Sequence, residues 1–125
     1  MNAIKRLSLA VTMSAFLATP NADCAKTIKH PASDDAYNAV FGHNVAFGGD
    51  TIVSGSPRDD DHGSNSGSVY EYERSLNTWL QQVKLTAIDA ESEDFFGRSV
   101  AIHGDNLVVG APTDRINPGS VYVFA

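Results

Sequence analysis

The sequence predicts an all-β chain built from two copies of one small antiparallel sheet. Two similar stretches support this prediction: "FGHNVAFGGDTIVSGSP" at residues 41–57 and "FGRSVAIHGDNLVVGAP" at residues 96–112, which lie 55 residues apart. Both are rich in the β-branched and aromatic residues that favour strands. The third observation is that "GSVYEY" at residues 67–72 recurs as "GSVYVF" at residues 119–124. A period near 50 residues is typical of architectures in which similar units pack side by side.

The beginning of the chain predicts an export signal. Lys5 and Arg6 precede the apolar run "LSLAVTMSAFLA" at residues 7–18, and a polar stretch follows this run. Such an order is typical of a secretory signal peptide, and the run is too short to span a bilayer as an ordinary helix. We therefore expect residues 1–24 to be a signal peptide. The mature chain, residues 25–125, is expected to be secreted, periplasmic or at the cell surface.

Cysteine content and charge limit what the mature chain can do. Cys24 is the only cysteine, so no intrachain disulfide can form, and stability must come from packing. Cleavage after Cys24 and cleavage after Ala22 both remain open. The formal net charge is −6 for the full sequence and remains negative without residues 1–24, which argues against nucleic acid or anionic lipid as a partner and is compatible with cations or basic partners. No second hydrophobic span follows, so we expect no membrane span in the mature chain.

Each copy opens with a predicted hairpin. In the first copy "NVAFGG" and "TIVSGS" meet at Gly49-Asp50, and in the second "SVAIHG" and "NLVVGA" meet at Gly104-Asp105. Glycine allows the positive φ that tight primed turns need, and aspartate forms local hydrogen bonds at such positions. Asp50 and Asp105 are therefore predicted to shape turns rather than to bind a metal ion.

Two further strands complete the predicted unit. "GSVYEYER" and "GSVYVFA" predict a third strand in each copy, and "TWLQQVKLTA" at residues 78–87 predicts a fourth strand in the first copy. Alternation along this fourth strand places Trp79 and Leu85 on one face and Lys84 on the other. Runs such as "LVV" and "VAI" are continuously apolar, which indicates sheets that are covered on both faces. Four-stranded antiparallel sheets covered in this way are β-propeller blades.

The predicted propeller is incomplete. Repeat one covers about residues 29–83 and repeat two about residues 84–125, whereas a closed propeller needs at least about 4 blades. Two blades leave apolar faces and strand edges uncovered, which isolated monomers seldom tolerate. We therefore expect further blades, either by oligomerisation or by continuation of the chain.

The repeated motif resembles a known family. Its residues are Phe41, Gly42, Gly55 and Pro57 in the first copy, and Phe96, Gly97, Gly110, Ala111 and Pro112 in the second. With "GSVYVF", they resemble the FG-GAP repeats of bacterial secreted proteins, relatives of the integrin alpha-chain β-propeller repeats. The resemblance implies an extracytoplasmic propeller that contacts a protein or glycan, as in adhesion, and that is not an enzyme. The integrin calcium loop has no counterpart here. In both copies the two predicted strands between the Phe-Gly phrase and the Gly-Ser-Pro or Gly-Ala-Pro phrase are joined only by a Gly-Asp turn.

The loop "RDDDHGSNSG", residues 58–67, is the best candidate for a metal site. Calcium takes about six to eight oxygen ligands, and Asp59, Asp61 and Asn65 could supply some of them. The spacing does not match an EF-hand loop. A solvated loop whose charges protect a strand edge is the alternative interpretation. Calcium is thus a possible cofactor, and no other cofactor is predicted.

Catalytic signatures are absent from the sequence. The four histidines lack the spacings of zinc ligands, and Ser54, Ser56 and Ser68 do not lie in a G-x-S-x-G motif. Paired carboxylates of the kind used by glycosidases cannot be assigned from composition alone. We therefore predict a non-enzymatic protein, with a remnant of a larger glycan-acting enzyme as the remaining alternative.

Overall fold

The computed structural model describes residues 28–34, 37–113 and 118–125. The chain divides into two units, residues 1–30 and 31–125. The predicted signal peptide therefore lies outside the described residues. Among the residues that the structure describes, no helix is long and apolar enough to cross a membrane.

Seven strands are present in the described part of the chain, and they form two antiparallel sheets. The first sheet, blade one, contains in spatial order β1 (Asn44–Gly48), β2 (Thr51–Ser56), β3 (Ser68–Ser75) and β4 (Thr78–Leu85). The second sheet, blade two, contains β5 (Ser99–His103), β6 (Asn106–Ala111) and β7 (Ser120–Phe124). The all-β prediction is confirmed. Within each sheet the strands run up and down in chain order, as in a propeller blade, and the two sheets do not form a closed ring.

The two repeats share their backbone conformation as well as their sequence. Gly49 and Gly104, which begin the two hairpin turns, have φ of 57° and 58°. A glycine with positive φ at the first central position is what a II′ hairpin turn requires. The glycines of the two Phe-Gly turns, Gly42 and Gly97, also match, with φ of 86° and 91°.

The fourth strand differs from the prediction in the direction of one side chain. The predicted pairing of Trp79 and Leu85 on one face is wrong, because Trp79 packs with Tyr72 while Leu85 packs in the core between the blades. A bulge causes the change: Glu71 pairs with Val83, but Tyr72 pairs with Gln81. The extra residue in β4 reverses the alternation from that point. Trp79 and Lys84 therefore lie on the same face.

The main core lies between the two blades. Its buried residues come from both sheets and from the segment between them: Val53, Val69, Ala87, Phe96, Leu107, Val109 and Ala111. Phe96 is fully buried, and its ring contacts those of Tyr122 and Phe124 edge-on at centroid distances of 5.2 and 6.2 Å. Each blade thus covers one face of the other, as the continuous apolar runs predicted.

A second, smaller cluster lies on the other face of blade one and covers part of it. Tyr70 and Tyr72 are buried there beneath Ala32, and Phe41 and Trp79 pack against them. The Phe41 ring lies 5.1 Å from that of Tyr70, also edge-on. This arrangement repeats the packing of Phe96 on Tyr122, but Phe41 is only half-buried.

Candidate functional site

The polar loop at residues 57–67 is held in one conformation by its own side chains. Asp59 is buried, and its Oδ1 accepts a hydrogen bond from the Asp61 amide at 3.2 Å. The Asp59 carbonyl accepts bonds from the Gly67 amide at 2.9 Å and from the Ser66 hydroxyl at 3.2 Å. Asp60 Oδ1 accepts a bond from the Asn65 amide at 2.8 Å. Aspartate and serine form such local bonds readily, which explains why this composition gives an ordered loop.

Lys84 joins this loop to the rest of blade one. It lies on β4 opposite Tyr70 on β3. Its Nζ lies 2.8 Å from Asp59 Oδ2 and 2.6 Å from Asp61 Oδ2, and it also forms an ion pair with Asp34. We refer to Asp34, Asp59, Asp61, Tyr70 and Lys84 as the Lys84 cluster. It brings together a segment preceding β1, the loop after β2 and the strands β3 and β4.

Tyr70 forms the base of the cluster. Its hydroxyl lies 2.6 Å from Asp34 Oδ1 and 3.1 Å from Asp59 Oδ2, and it donates its proton to the nearer oxygen. The Lys84 ammonium lies 5.2 Å from the centroid of the Tyr70 ring. A cation at this distance from an aromatic face gains further electrostatic stabilisation.

The surroundings of Lys84, Asp34 and Asp59 stabilise the ionic forms of these three groups. Burial lowers the pKa of Lys84, but hydrogen bonds to Asp34 and Asp59 outweigh this effect and raise it. The bond from Lys84 lowers the pKa of Asp34. Burial acts to raise the pKa of Asp59, yet the bond and charge of Lys84 lower it overall. The pKa of Tyr70 is raised by burial and by its bond to Asp34, so its hydroxyl stays protonated.

The structure places the three residues predicted to bind calcium in two locations. Ligand oxygens of Asp59 and Asp61 lie within 4.8 Å of each other and of an Asp34 oxygen. Asn65 is directed elsewhere, and its Nδ2 donates to Glu93 Oε1 at 3.0 Å. The Lys84 ammonium lies among the three carboxylates, where it neutralises part of their charge. Calcium binding stays a prediction, and the set of ligands that converge is Asp34, Asp59 and Asp61.

Sequence reasoning missed Asp34 and Lys84. The repeat could have indicated a role for Asp34, because this residue aligns with Asp89 at the 55-residue offset. In blade two the Tyr122 hydroxyl donates to Asp89 Oδ1 at 2.7 Å, as Tyr70 does to Asp34. Burial and Asp89 raise the pKa of Tyr122 to about 12. This tyrosine–aspartate pair therefore recurs as a structural feature of each repeat.

The motif residues form the contact between the blades. The turn at Phe96 and Gly97 lies in a depression of blade one, where the Phe96 amide donates to the Ser66 carbonyl at 3.0 Å. A Cβ added to Gly55 would lie 1.9 Å from the Gly97 oxygen. The glycine of the Gly-Ser-Pro phrase is thus required because another backbone passes over it. We call this depression the FG socket; its residues are Gly55, Ser56, Pro57, Gly67, Ser68 and Val69.

A comparison with protein-family models gives one family. The model described as FG-GAP repeat matches residues 26–72 and again residues 79–124. No curated protein matches the chain. The two matched ranges cover most of the sequence, and each contains one Phe-Gly turn and one tyrosine–aspartate pair. The chain therefore belongs to the FG-GAP repeat family.

Proposed function

We propose that this chain is a non-enzymatic segment of an extracytoplasmic β-propeller that binds a protein partner through the loop at residues 57–67. The observation that carries the proposal is the combination of a fixed loop backbone with exposed polar side chains. Arg58, Asp60, His62 and Ser64 are exposed, while the backbone beneath them is bonded to buried Asp59 and Ser66. A loop that is ordered before binding loses little conformational entropy when a partner docks.

The charge at this end of blade one favours a partner with a basic surface. Three carboxylates of the Lys84 cluster surround one ammonium, so negative charge remains. The Asp34 and Asp61 side chains are 45% and 49% exposed, which presents that charge to solvent. Opposite charge across an interface increases the rate of encounter and fixes orientation. A glycan partner, bound through its hydroxyls, is the alternative that the experiment must distinguish.

Site-specific photo-crosslinking tests the proposal. A photoreactive amino acid is placed at exposed His62, or at exposed Leu76 as the control. The eight residues of β3 separate these two ends of blade one by about 26 Å. In the cell envelope of the producing cells, we expect a discrete protein adduct from position 62 and none from position 76. Adducts with polysaccharide alone, or equal protein labelling from both positions, would contradict a protein partner at this loop.

Calcium-dependent binding is the second candidate, and the convergence of the Asp34, Asp59 and Asp61 oxygens favours it. Because the Lys84 ammonium already lies between these oxygens, calcium must displace it. Titration calorimetry with calcium on the native chain, Asp61→Ala and Lys84→Met separates the cases. Heat in the native chain that is lost in Asp61→Ala supports calcium binding. Heat in Lys84→Met alone shows that the Lys84 ammonium occupies the calcium position in the native chain. Absence of heat in all three proteins excludes calcium binding.

A further inference from the structure

Blade two carries a second FG socket that is not filled by the described residues. Repeat alignment matches the socket residues of blade one with a set in blade two, which is Gly110, Ala111, Pro112, Gly119, Ser120 and Val121. These residues line a cavity of about 430 Å³. In blade one the corresponding depression contains the turn at Phe96 and Gly97. The walls of the two sockets therefore differ only at Ser56, which is Ala111 in blade two, but the sockets differ in occupancy.

Burial of the equivalent residues shows the same difference. Val69 is fully buried beneath blade two, whereas its equivalent, Val121, is 70% exposed. Pro57 is buried and its equivalent, Pro112, is exposed. Val123, next to Val121 on the outer face of β7, is 65% exposed. The outer face of blade two is thus an apolar surface of the kind that is covered in blade one.

The complementary surface is present on blade one. Val45 and Phe47 on β1 are 64% and 65% exposed. Their equivalents on β5, Val100 and Ile102, pack against the core between the blades. The face of blade one that would cover a socket is therefore also exposed.

The turn that would enter the socket already has the required conformation. The Gly42 amide donates to the Gly55 carbonyl at 3.1 Å, and the Gly97 amide donates to the Gly110 carbonyl at the same distance. The residues two positions before these glycines, Val40 and Phe95, both have positive φ, at 60° and 54°. The turn at Phe41 and Gly42 is thus a copy of the turn that fills the socket of blade one.

We propose that a second copy of this chain docks head-to-tail, with its Phe41-Gly42 turn in the socket formed by Gly110 to Val121 of the first copy. A second copy is the expected occupant because the chain already forms this contact once, between its own blades. Such an interface joins two different surfaces, so its repetition gives either a closed ring or an open chain of copies. This association goes beyond the proposed partner contact, because it uses the faces of the blades rather than the loop at residues 57–67.

Contacts between two copies can be derived from the contacts between the two blades of one chain, because the repeats are equivalent. The Val100 amide donates to Asn44 Oδ1 at 3.2 Å within the chain; between copies, the Val45 amide of the second would face Ser99 of the first. A Cβ added to Gly48 would lie 3.9 Å from the Ile102 Cβ. Between copies the equivalent pair is His103 of the first and Phe47 of the second. Two Cβ atoms at that separation can be joined by a disulfide.

Analytical ultracentrifugation of the purified chain and three variants tests the proposal. Val121→Glu places a charge in the interface. Gly110→Ala adds a Cβ whose nearest neighbour in the single chain is the rotatable Ser99 hydroxyl, whereas the equivalent Cβ at Gly55 would meet a docked carbonyl. Ile88→Glu is the control, because Ile88 is fully exposed outside the interface. We expect oligomers for the native chain and Ile88→Glu, and single chains with unchanged circular dichroism for the other two.

A single-chain mass for the native protein at its highest soluble concentration would overturn the proposal and favour continuation of the chain as the source of the covering blade. Oligomers that persist in Val121→Glu and Gly110→Ala would also overturn it.

Disulfide trapping gives a result that does not depend on those variants folding. Phe47→Cys and His103→Cys are made separately in chains that carry Cys24→Ser, and are oxidised alone and as a mixture. We expect a covalent dimer only in the mixture, because the interface joins unlike surfaces. No dimer in the mixture, or as much dimer in either variant alone, would contradict head-to-tail docking.

Discussion

Removing the ring of Phe96 is expected to destabilise the fold far more than removing that of Phe41, although both residues occupy the same motif position. Phe96 is fully buried between the blades, in contact with Tyr122 and Phe124. Replacing a buried phenylalanine by alanine costs about 3–5 kcal/mol, because apolar contacts are lost and a cavity remains. Phe41 is half-buried, so Phe41→Ala is expected to cost roughly half as much. Since small domains have about 5–15 kcal/mol of stability in total, Phe96→Ala removes a large share.

The assay is urea unfolding followed by the fluorescence of Trp79, the only tryptophan. Both changes are made in the Val121→Glu background, so that association with a second copy does not cover Phe41. Free energies are compared where the slopes against urea agree, since a changed slope signals a changed unfolded or native state. Equal losses for the two variants, or a larger loss for Phe41→Ala, would refute the conclusion that the core between the blades is the main source of stability.

Three other perturbations follow from the same structure. Lys84→Met is expected to lower stability by about 3 kcal/mol at neutral pH by leaving the surrounding carboxylates unpaired. The lowered pKa values of Asp34 and Asp59 stabilise the fold above about pH 4, so the difference should shrink as urea titrations move below that pH. Gly55→Ala should prevent folding, as seen by circular dichroism, whereas Gly49→Ala, with no atom near its added Cβ, should cost only about 1 kcal/mol for its positive φ. In an ultraviolet titration Tyr122 should ionise near pH 12, and Asp89→Asn should lower that midpoint.

The strands were predictable because their signals are local. β-branched residues, alternation and Gly-Asp turns each act over a few residues, and the repeat showed every signal twice except the fourth strand. The family resemblance rested on the same phrases, and the family match confirms it. The signal peptide at residues 1–24 and export of the chain stay predictions.

The Lys84 cluster could not be predicted in the same way. The contact of Lys84 with the carboxylates depends on its pairing with Tyr70 on β3, which alternation along β4 alone does not give. Asp34 lies outside the strands that the structure describes, and it joins the cluster through its bond with Tyr70. Both contacts connect residues that are distant in sequence. Composition therefore identified the acidic loop but not the lysine that neutralises it.

The repeat explains why one short phrase can encode both sides of an interface. Each copy carries a Phe-Gly turn that projects from one face, and a Gly-x-Pro phrase that, with the Gly-Ser-Val strand start, forms a socket on the other. Gly55 leaves room for the Gly97 carbonyl, and Gly97 has the positive φ that brings its backbone there. The Phe-Gly turn also contacts its own blade, as Phe41 does with Tyr70, but the socket is filled only by the turn of an adjacent repeat. In the described part of the chain, the turn at Phe41 and Gly42 and the socket of blade two remain accessible at the two outer faces, and this is the physical basis for expecting further copies to associate.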